Sequence, residues 1–331
     1  MRKIAFIVIL AFLIIGSTFP QNTLVIYTYD SFVSGIAKVV IPKFERMYGC
    51  EVKVYSFGDA GNALMRVFME GDKTKADILL GLDQNMIIDA FKKGIFEPYK
   101  PLNHSLIKYP EFLDERWRVV PYDFGAIAIV YDSEEVKDPP KSFKDLLDER
   151  WRRSIIIEDP RTSSTGRAFL IWTVAVFGED GFVDFWRKLK PNILTVTAGW
   201  DEAFQLFEAG EAPMMVSYAT DGAYSYYAYK STRYKAVIPE EGAFVQVEYA
   251  GILKFSKNKE FAKRFMEFLL MDQFQSEIPL NQWMYPVTDV ELPDVYKYAA
   301  TVEKILKVDP SEVEKKMDEW INKWLNIMME K

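Results

Sequence analysis

A chain of 331 residues that is 49% hydrophobic and 27% charged can bury a sizeable core, and its length points to two domains rather than one. A formal charge of -7 and an isoelectric point near 5.1 exclude nucleic acid and anionic membrane as the main partner, because both select basic patches. Cys50 is the only cysteine and His104 the only histidine, which excludes an internal disulfide and leaves little material for Cys/His metal clusters or Ser-His and Cys-His catalytic pairs.

At the N-terminus, Arg2 and Lys3 precede an apolar run from Ile4 to Ile15, with Gly16, Ser17, Thr18 and Pro20 behind it. That run is too short to cross a bilayer, so residues 1–21 read as a signal peptide rather than a buried helix or a short anchor, and the expected location is the periplasm. No cysteine follows to carry a lipid. Losing Arg2 and Lys3 would make the mature chain more acidic still.

From Thr23 onward, short β-rich runs alternate with runs of helical period, the pattern of an α/β protein with mostly parallel strands. Thr23 to Tyr29 predicts a strand, and Ile36, Val40, Phe44 and Met47 then recur at helical spacing up to Gly49. Strand Glu51 to Phe57, helix Asn62 to Glu70, strand Asp77 to Leu80 and helix Asn85 to Lys93 complete the unit, with Gly71 and Gly94 as stops. A second series reads as strand Ser154 to Glu158, a helix from Gly166, strand Ile193 to Thr197, helix Asp201 to Ala209 and strand Pro213 to Ser217.

Two longer hydrophobic stretches, Val119 to Tyr131 and Phe244 to Phe255, flank that series and are long enough to cross between lobes. The expected organisation is a first lobe from 22–121 plus 250–331, with an inserted second lobe over 122–249. Helices Lys259 to Met271 and Ser311 to Met329 finish the chain, the latter with Val313, Met317, Trp320, Ile321 and Trp324 on one packing face.

In open parallel sheets ligands bind beyond the carboxyl ends of the strands. Those positions hold Tyr29, Asp30, Ser31, Asp59 and Asp83 in the first lobe, and Ser163, Trp200 and Tyr218 through Tyr224 in the second. Aromatic faces and carboxylates meeting in a cleft suit a flat cation: thiamine, a polyamine or another quaternary amine. Asp and Ser after a strand also serve as helix N-caps, and aromatics there also serve as core. The hydroxyl-rich segment from Asp159 to Gly166 opens a helix and suits either an N-cap cluster or an anion such as a phosphate ester.

Several segments together resemble the periplasmic thiamine-binding proteins of bacterial ABC transporters. They are Y-T-Y-D-S-F from Tyr27, K-A-D-I-L-L-G-L-D from Lys75, P-Y-D-F-G from Pro121 and E-D-P-R-T-S-S-T-G from Glu158. Further on come T-A-G-W-D-E-A from Thr197, S-Y-A-T-D-G-A-Y from Ser217, Q-V-E from Gln246 and I-P-L-N-Q-W-M-Y-P-V from Ile278. The resemblance implies a two-lobed type II periplasmic-binding fold with crossing hinge strands, and a solute-binding protein that is not an enzyme. It would carry thiamine and its phosphate esters as ligands rather than cofactors, deliver them to the membrane permease of an ABC importer, and work as a monomer.

By that resemblance Tyr29, Tyr218, Tyr224 and Trp283 hold the thiamine rings, and Asp59, Ser163 and Trp200 touch the ligand or its phosphate. Asp83, Tyr122, Asp123 and Asn281 lie in matching motifs as ligand-binding or hinge residues. Two departures stand out: the family's Trp shortly after the Tyr27 segment is missing from Val33 to Val40, and its close cysteine pair is reduced to Cys50. Two rival functions share the architecture: a ferric-ion carrier using Tyr226 and Tyr227, and a thiaminase-like enzyme using Cys50 as nucleophile. Cys50 precedes a strand, at the amino end of the sheet and away from the expected cleft, and Tyr224, Tyr226, Tyr227 and Tyr229 also fit a packed helix.

Overall fold

The alternation of short strands and amphipathic helices is realised as two α/β lobes sharing one continuous sheet. The computed structural model describes residues 22–330, so the signal-peptide reading of residues 1–21 lies outside the described residues. In the first half, β1 (Thr23–Thr28), α1 (Asp30–Ser34), α2 (Ala37–Tyr48), β2 (Glu51–Ser56), α3 (Ala60–Glu70), β3 (Ile78–Asp83), α4 (Met86–Lys93) and β4 (Phe96–Glu97) precede the long strand β5 (Val120–Asp132). Then β6 (Ile155–Glu158), α5 (Ser164–Leu189), β7 (Ile193–Thr197), α6 (Trp200–Glu208), β8 (Met214–Tyr218), α7 (Asp221–Tyr229) and β9 (Tyr234–Val237) lead to a second long strand, β10 (Ala243–Leu253). The chain ends through α8 (Lys259–Phe268), α9 (Asp272–Gln275), α10 (Ile278–Asn281), β11 (Tyr285–Pro286), β12 (Ile305–Leu306) and α11 (Pro310–Met329).

Local chemistry explains the elements. Ala37, Val40, Ile41 and Phe44 form the buried stripe of α2, and the glycines at 49, 71 and 94 stand at the C-caps of α2, α3 and α4. β3 is buried along its whole length, as a nearly continuous apolar run in the middle of a sheet covered on both faces should be.

The strand order is β2-β1-β3-β10-β5-β8-β6-β7. β1 pairs in parallel with β2 and β3, and β6 pairs in parallel with β7 and β8. The two long strands join the halves. β10 runs antiparallel to β3 over Glu248–Ile252 and to the first half of β5, whereas the second half of β5, from Ile127 to Tyr131, pairs with β8. One strand therefore serves both lobes, and any rotation between them must pass through it.

Each lobe has its own core. Ile26, Phe32, Phe44, Leu80 and Phe265 belong to the first, and Ile127, Ile157, Phe169, Trp172 and Trp186 to the second. The expectation that 250–331 lies wholly in the first lobe is corrected at its end: Val313, Met317, Trp320, Trp324 and Ile327 of α11 are buried in the second core. The Trp186 and Trp324 rings meet edge to face, with centroids 6.0 Å apart. The apolar face of α11 is legible in its spacing, but spacing carries no information about which body receives it.

Candidate functional site

The carboxyl ends of the strands of both lobes face a shared cavity of about 380 Å³. Tyr29 follows β1, Asp59 follows β2, Trp200 opens α6, Tyr218 ends β8 and Tyr224 lies in α7, while Asn281 ends α10 and Trp283 comes from the turn after it. All seven lie on the cavity wall. Five carboxylates line it as well, from Asp59, Asp201, Glu208, Asp221 and Glu248; among the described residues no Lys, Arg or His does.

The floor is a phenol and carboxylate cluster. Glu248 Oε2 accepts from the hydroxyls of Tyr29 and Tyr122, each at 2.5 Å, and Gln282 Nε2 donates to the Tyr29 oxygen at 2.5 Å. Tyr29 can lie flat there because Gly81 opposes it: a Cβ at Gly81 would stand 2.1 Å from the ring, and its φ of +100° suits glycine. Glu248 itself sits at a bulge in the pairing of β10 with β5, a device that re-aims side chains. Burial pushes its carboxyl up to about 7; the two phenol hydrogen bonds oppose the rise, and the charges of Asp59 and Asp83 add to it. Asp123, across the ladder from Glu248, is held well above the usual carboxylate range by burial and by the Glu248 charge.

The second lobe supplies an aromatic wall held by its own relay. The Trp200 indole donates to Ser217 Oγ at 2.8 Å, and Ser217 donates to Asp221 Oδ2 at 2.6 Å. Trp200 stacks on Phe204 at 4.9 Å and 17°, and Tyr224 packs edge-on to both Phe204 and Trp283. Trp283 has φ of 60°, an uncommon conformation for a bulky residue, and its carbonyl accepts from Thr220 Oγ1 of the second lobe at 2.5 Å. Burial also lifts Asp221 to about 7 despite its Ser217 hydrogen bond.

The lobes touch along the rim. Asp59 accepts from the backbone N–H of Trp200 at 3.0 Å, Gly61 N–H donates to the Thr162 carbonyl at 3.0 Å, and Arg167 pairs with Asp89 at 2.9 Å. The arrangement is a closed cleft.

The remaining expected residues stand behind the cavity wall rather than on it. Ser163 is fully buried as the N-cap of α5, its Oγ accepting from Gly166 N–H, while its neighbours Ser164 and Thr165 reach the cavity. Arg161 of the same segment is spent on Asp159 at 2.5 Å. Asp83 accepts the N–H groups of Asn85 and Met86 at the start of α4, and Tyr122 and Asp123 back the floor from behind.

For the rival functions, Tyr226 stacks on Tyr298 at 4.1 Å and neither it nor Tyr227 lines the cavity. Cys50 lies just before β2, on the order of 20 Å from the carboxyl end of that strand. Burial raises its thiol rather than activating it.

Asp201, Phe204, Glu208, Glu248, Gln282 and Met284 also line the cavity and were not expected there, whereas Asp221 falls within the expected Tyr218 to Tyr224 stretch. Two signals existed. Trp200, Phe204 and Glu208 fall four apart on one helix face, and Glu248 is a carboxylate inside a strand of otherwise mostly apolar residues.

The family model described as bacterial extracellular solute-binding protein matches residues 73–309. The chain is 39% identical to the thiamine-binding periplasmic protein of Brucella suis biovar 1 across 98% of both chains, and 38% identical to that of Escherichia coli K12 across 92% of this chain and 93% of the other. A solved structure described as a periplasmic thiamin binding protein superposes with a TM-score of 0.89 at 36% identity, covering 93% of this chain and 96% of its own. The two-lobed architecture with crossing strands is that of the type II periplasmic-binding fold.

Proposed function

This chain belongs to the bacterial extracellular solute-binding protein family, and from that premise we propose that it captures thiamine in the interlobe cavity and delivers it to the permease of an ABC importer. The observation that carries the reading is the cavity wall: aromatic faces from both lobes, five carboxylates and no basic side chain among the described residues. A thiazolium gains from ring faces through its charge and from carboxylates through neutralisation, and both effects strengthen when closure excludes water. Cargo of that size fits a volume of about 380 Å³. The phosphate esters of thiamine are within the same reading, as is a periplasmic monomer that binds without turnover.

The cycle follows from the fold. An open form admits the ligand, rotation through β5 and β10 closes the lobes, and Trp200 and Tyr224 are carried against Asp59, Tyr29 and Trp283. Calorimetric titration of the purified chain with thiamine is the direct test; no heat at ligand concentrations up to the millimolar range would reject the reading. Trp283→Ala should weaken that binding by about 1 to 3 kcal/mol, since it removes a ring face from a site it shares with Tyr224. Unchanged affinity in the same titration would take Trp283 out of the site.

A further inference from the structure

Helices that end on a left-handed residue usually place glycine there, and α10 places Trp283. The φ of Trp283 is 60°, and its N–H donates to the Ile278 carbonyl at 3.0 Å beside that of Gln282 at 2.9 Å. A bulky side chain in that conformation is strained and persists only where its surroundings hold it. The surroundings come from the other lobe. Ile278 and Met284, on either side of Trp283, are buried in the first core, whereas Thr220, Tyr224 and Tyr227 stand at the start of α7 and along it in the second lobe.

Those three residues fall at i, i+4 and i+7, on one face of the helix, and all three touch Trp283. The Thr220 hydroxyl donates to the Trp283 carbonyl at 2.5 Å. The Tyr224 and Tyr227 rings each stand 5.3 Å from the indole, centroid to centroid, tilted by 76° and 56°. Thr220 is the N-cap of α7, where a threonine hydroxyl commonly accepts from its own helix, yet it makes no capping bond. Its one hydroxyl is spent across the cleft.

We propose that this face of α7 sets Trp283 for the ligand, with Thr220 and Tyr227 as positioning residues: neither lines the cavity, and they fix the backbone and the ring of a residue that does. The proposal rests on the thiamine reading for its ligand and on these contacts for the grip. Because the grip joins two lobes, rotation that opens the cleft carries α7 away from the indole, and closure restores it. The first lobe then presents its stacking face only when the second has arrived.

The test is a double-mutant cycle in which circular dichroism first establishes that each variant folds. Thr220→Val keeps the shape and removes the donor, and should weaken thiamine binding about tenfold by calorimetry. Thr220→Ser keeps the donor and should stay within about twofold of the parent. Tyr227→Ala removes one ring contact and should cost about threefold. In a Trp283→Ala background both losses should shrink below about twofold, since no ring is left to position. A mere tie between the lobes would cost the same in either background, so equal losses there overturn the inference, as does parental affinity in both single variants. Should Thr220→Val fail to fold, Tyr227→Ala, at a residue 47% exposed, completes the cycle alone. The indole N–H resonance of Trp283, assigned by its loss in Trp283→Phe, reads the grip without any ligand. Thr220→Val and Tyr227→Ala should both move it, and a resonance left at the parent's position overturns the proposal. A parent that binds no thiamine rejects the function, and that resonance still decides the grip.

Discussion

Between pH 8 and pH 6, affinity for thiamine falls by about ten- to a hundredfold, while the ligand-free protein becomes harder to unfold. The two responses have opposite sign and one cause. Glu248 and Asp221 line the cavity, and burial raises both to about 7 from ordinary values of 4.5 and 3.8. Below that range they hold protons and offer a cationic ligand no charge; above it they are ionised and do. Each group that must release a proton on binding costs up to about tenfold per pH unit below its pKa.

Stability runs the other way. A carboxyl with a raised pKa in the folded chain binds more protons folded than unfolded between the two values, so unfolding free energy drops as pH rises through that window. For Glu248 alone, the shift from 4.5 to about 7 amounts to about 3 kcal/mol. Asp83 and Asp201, each raised to about 6 chiefly by burial, add to the lower part of the window. Urea unfolding of the ligand-free protein at pH 5.5 and 8, beside calorimetry at the same two values, reads both signs. Affinity that is flat across the range would mean that the cavity carboxylates do not face the cation.

Trp324→Ala destabilises the chain by about 3 kcal/mol and leaves the affinity of the folded fraction intact. Trp324 is 2% exposed between α11 and α5, edge-on to Trp186, and burying so large a side chain stabilises the joint between the last helix and the second lobe. A Trp-to-Ala change in a core costs about 3 to 5 kcal/mol, and the lower end applies because the Trp324 Nε1 is buried without a hydrogen-bond partner, a penalty that the substitution removes. Denaturant unfolding followed by fluorescence of the remaining tryptophans measures the loss. A change under 1 kcal/mol would show α11 to be an appendage, contrary to its place in the second core.

Much of the cavity wall is legible in the sequence. Tyr29, Asp59, Trp200 and Tyr218 were marked by the rule that ligands meet strand ends, because period and glycine stops locate those ends well: β7 spans Ile193–Thr197 as expected, and the β1 and β2 boundaries shift by one residue. Ser163 was marked by the same rule and turned out to be a buried N-cap, since a hydroxyl before a helix reads alike in sequence whether it faces a cleft or its own helix. Glu248 escapes for the opposite reason. It lies inside β10 rather than at a strand end, and a bulge in the pairing with β5 stands where it enters the cavity.

The α/β class, the two long crossing strands and the aromatic and acidic residue types at the strand ends are local properties of the chain, because hydrophobic period and turn chemistry act within a few residues. Tertiary structure alone decided that α11 closes the second core, that Glu248 sits beneath two phenols, and that Thr220 and Tyr227 of one lobe meet Trp283 of the other. Those are contacts between segments far apart in the chain, set by how the lobes pack and close, and no local pattern encodes them.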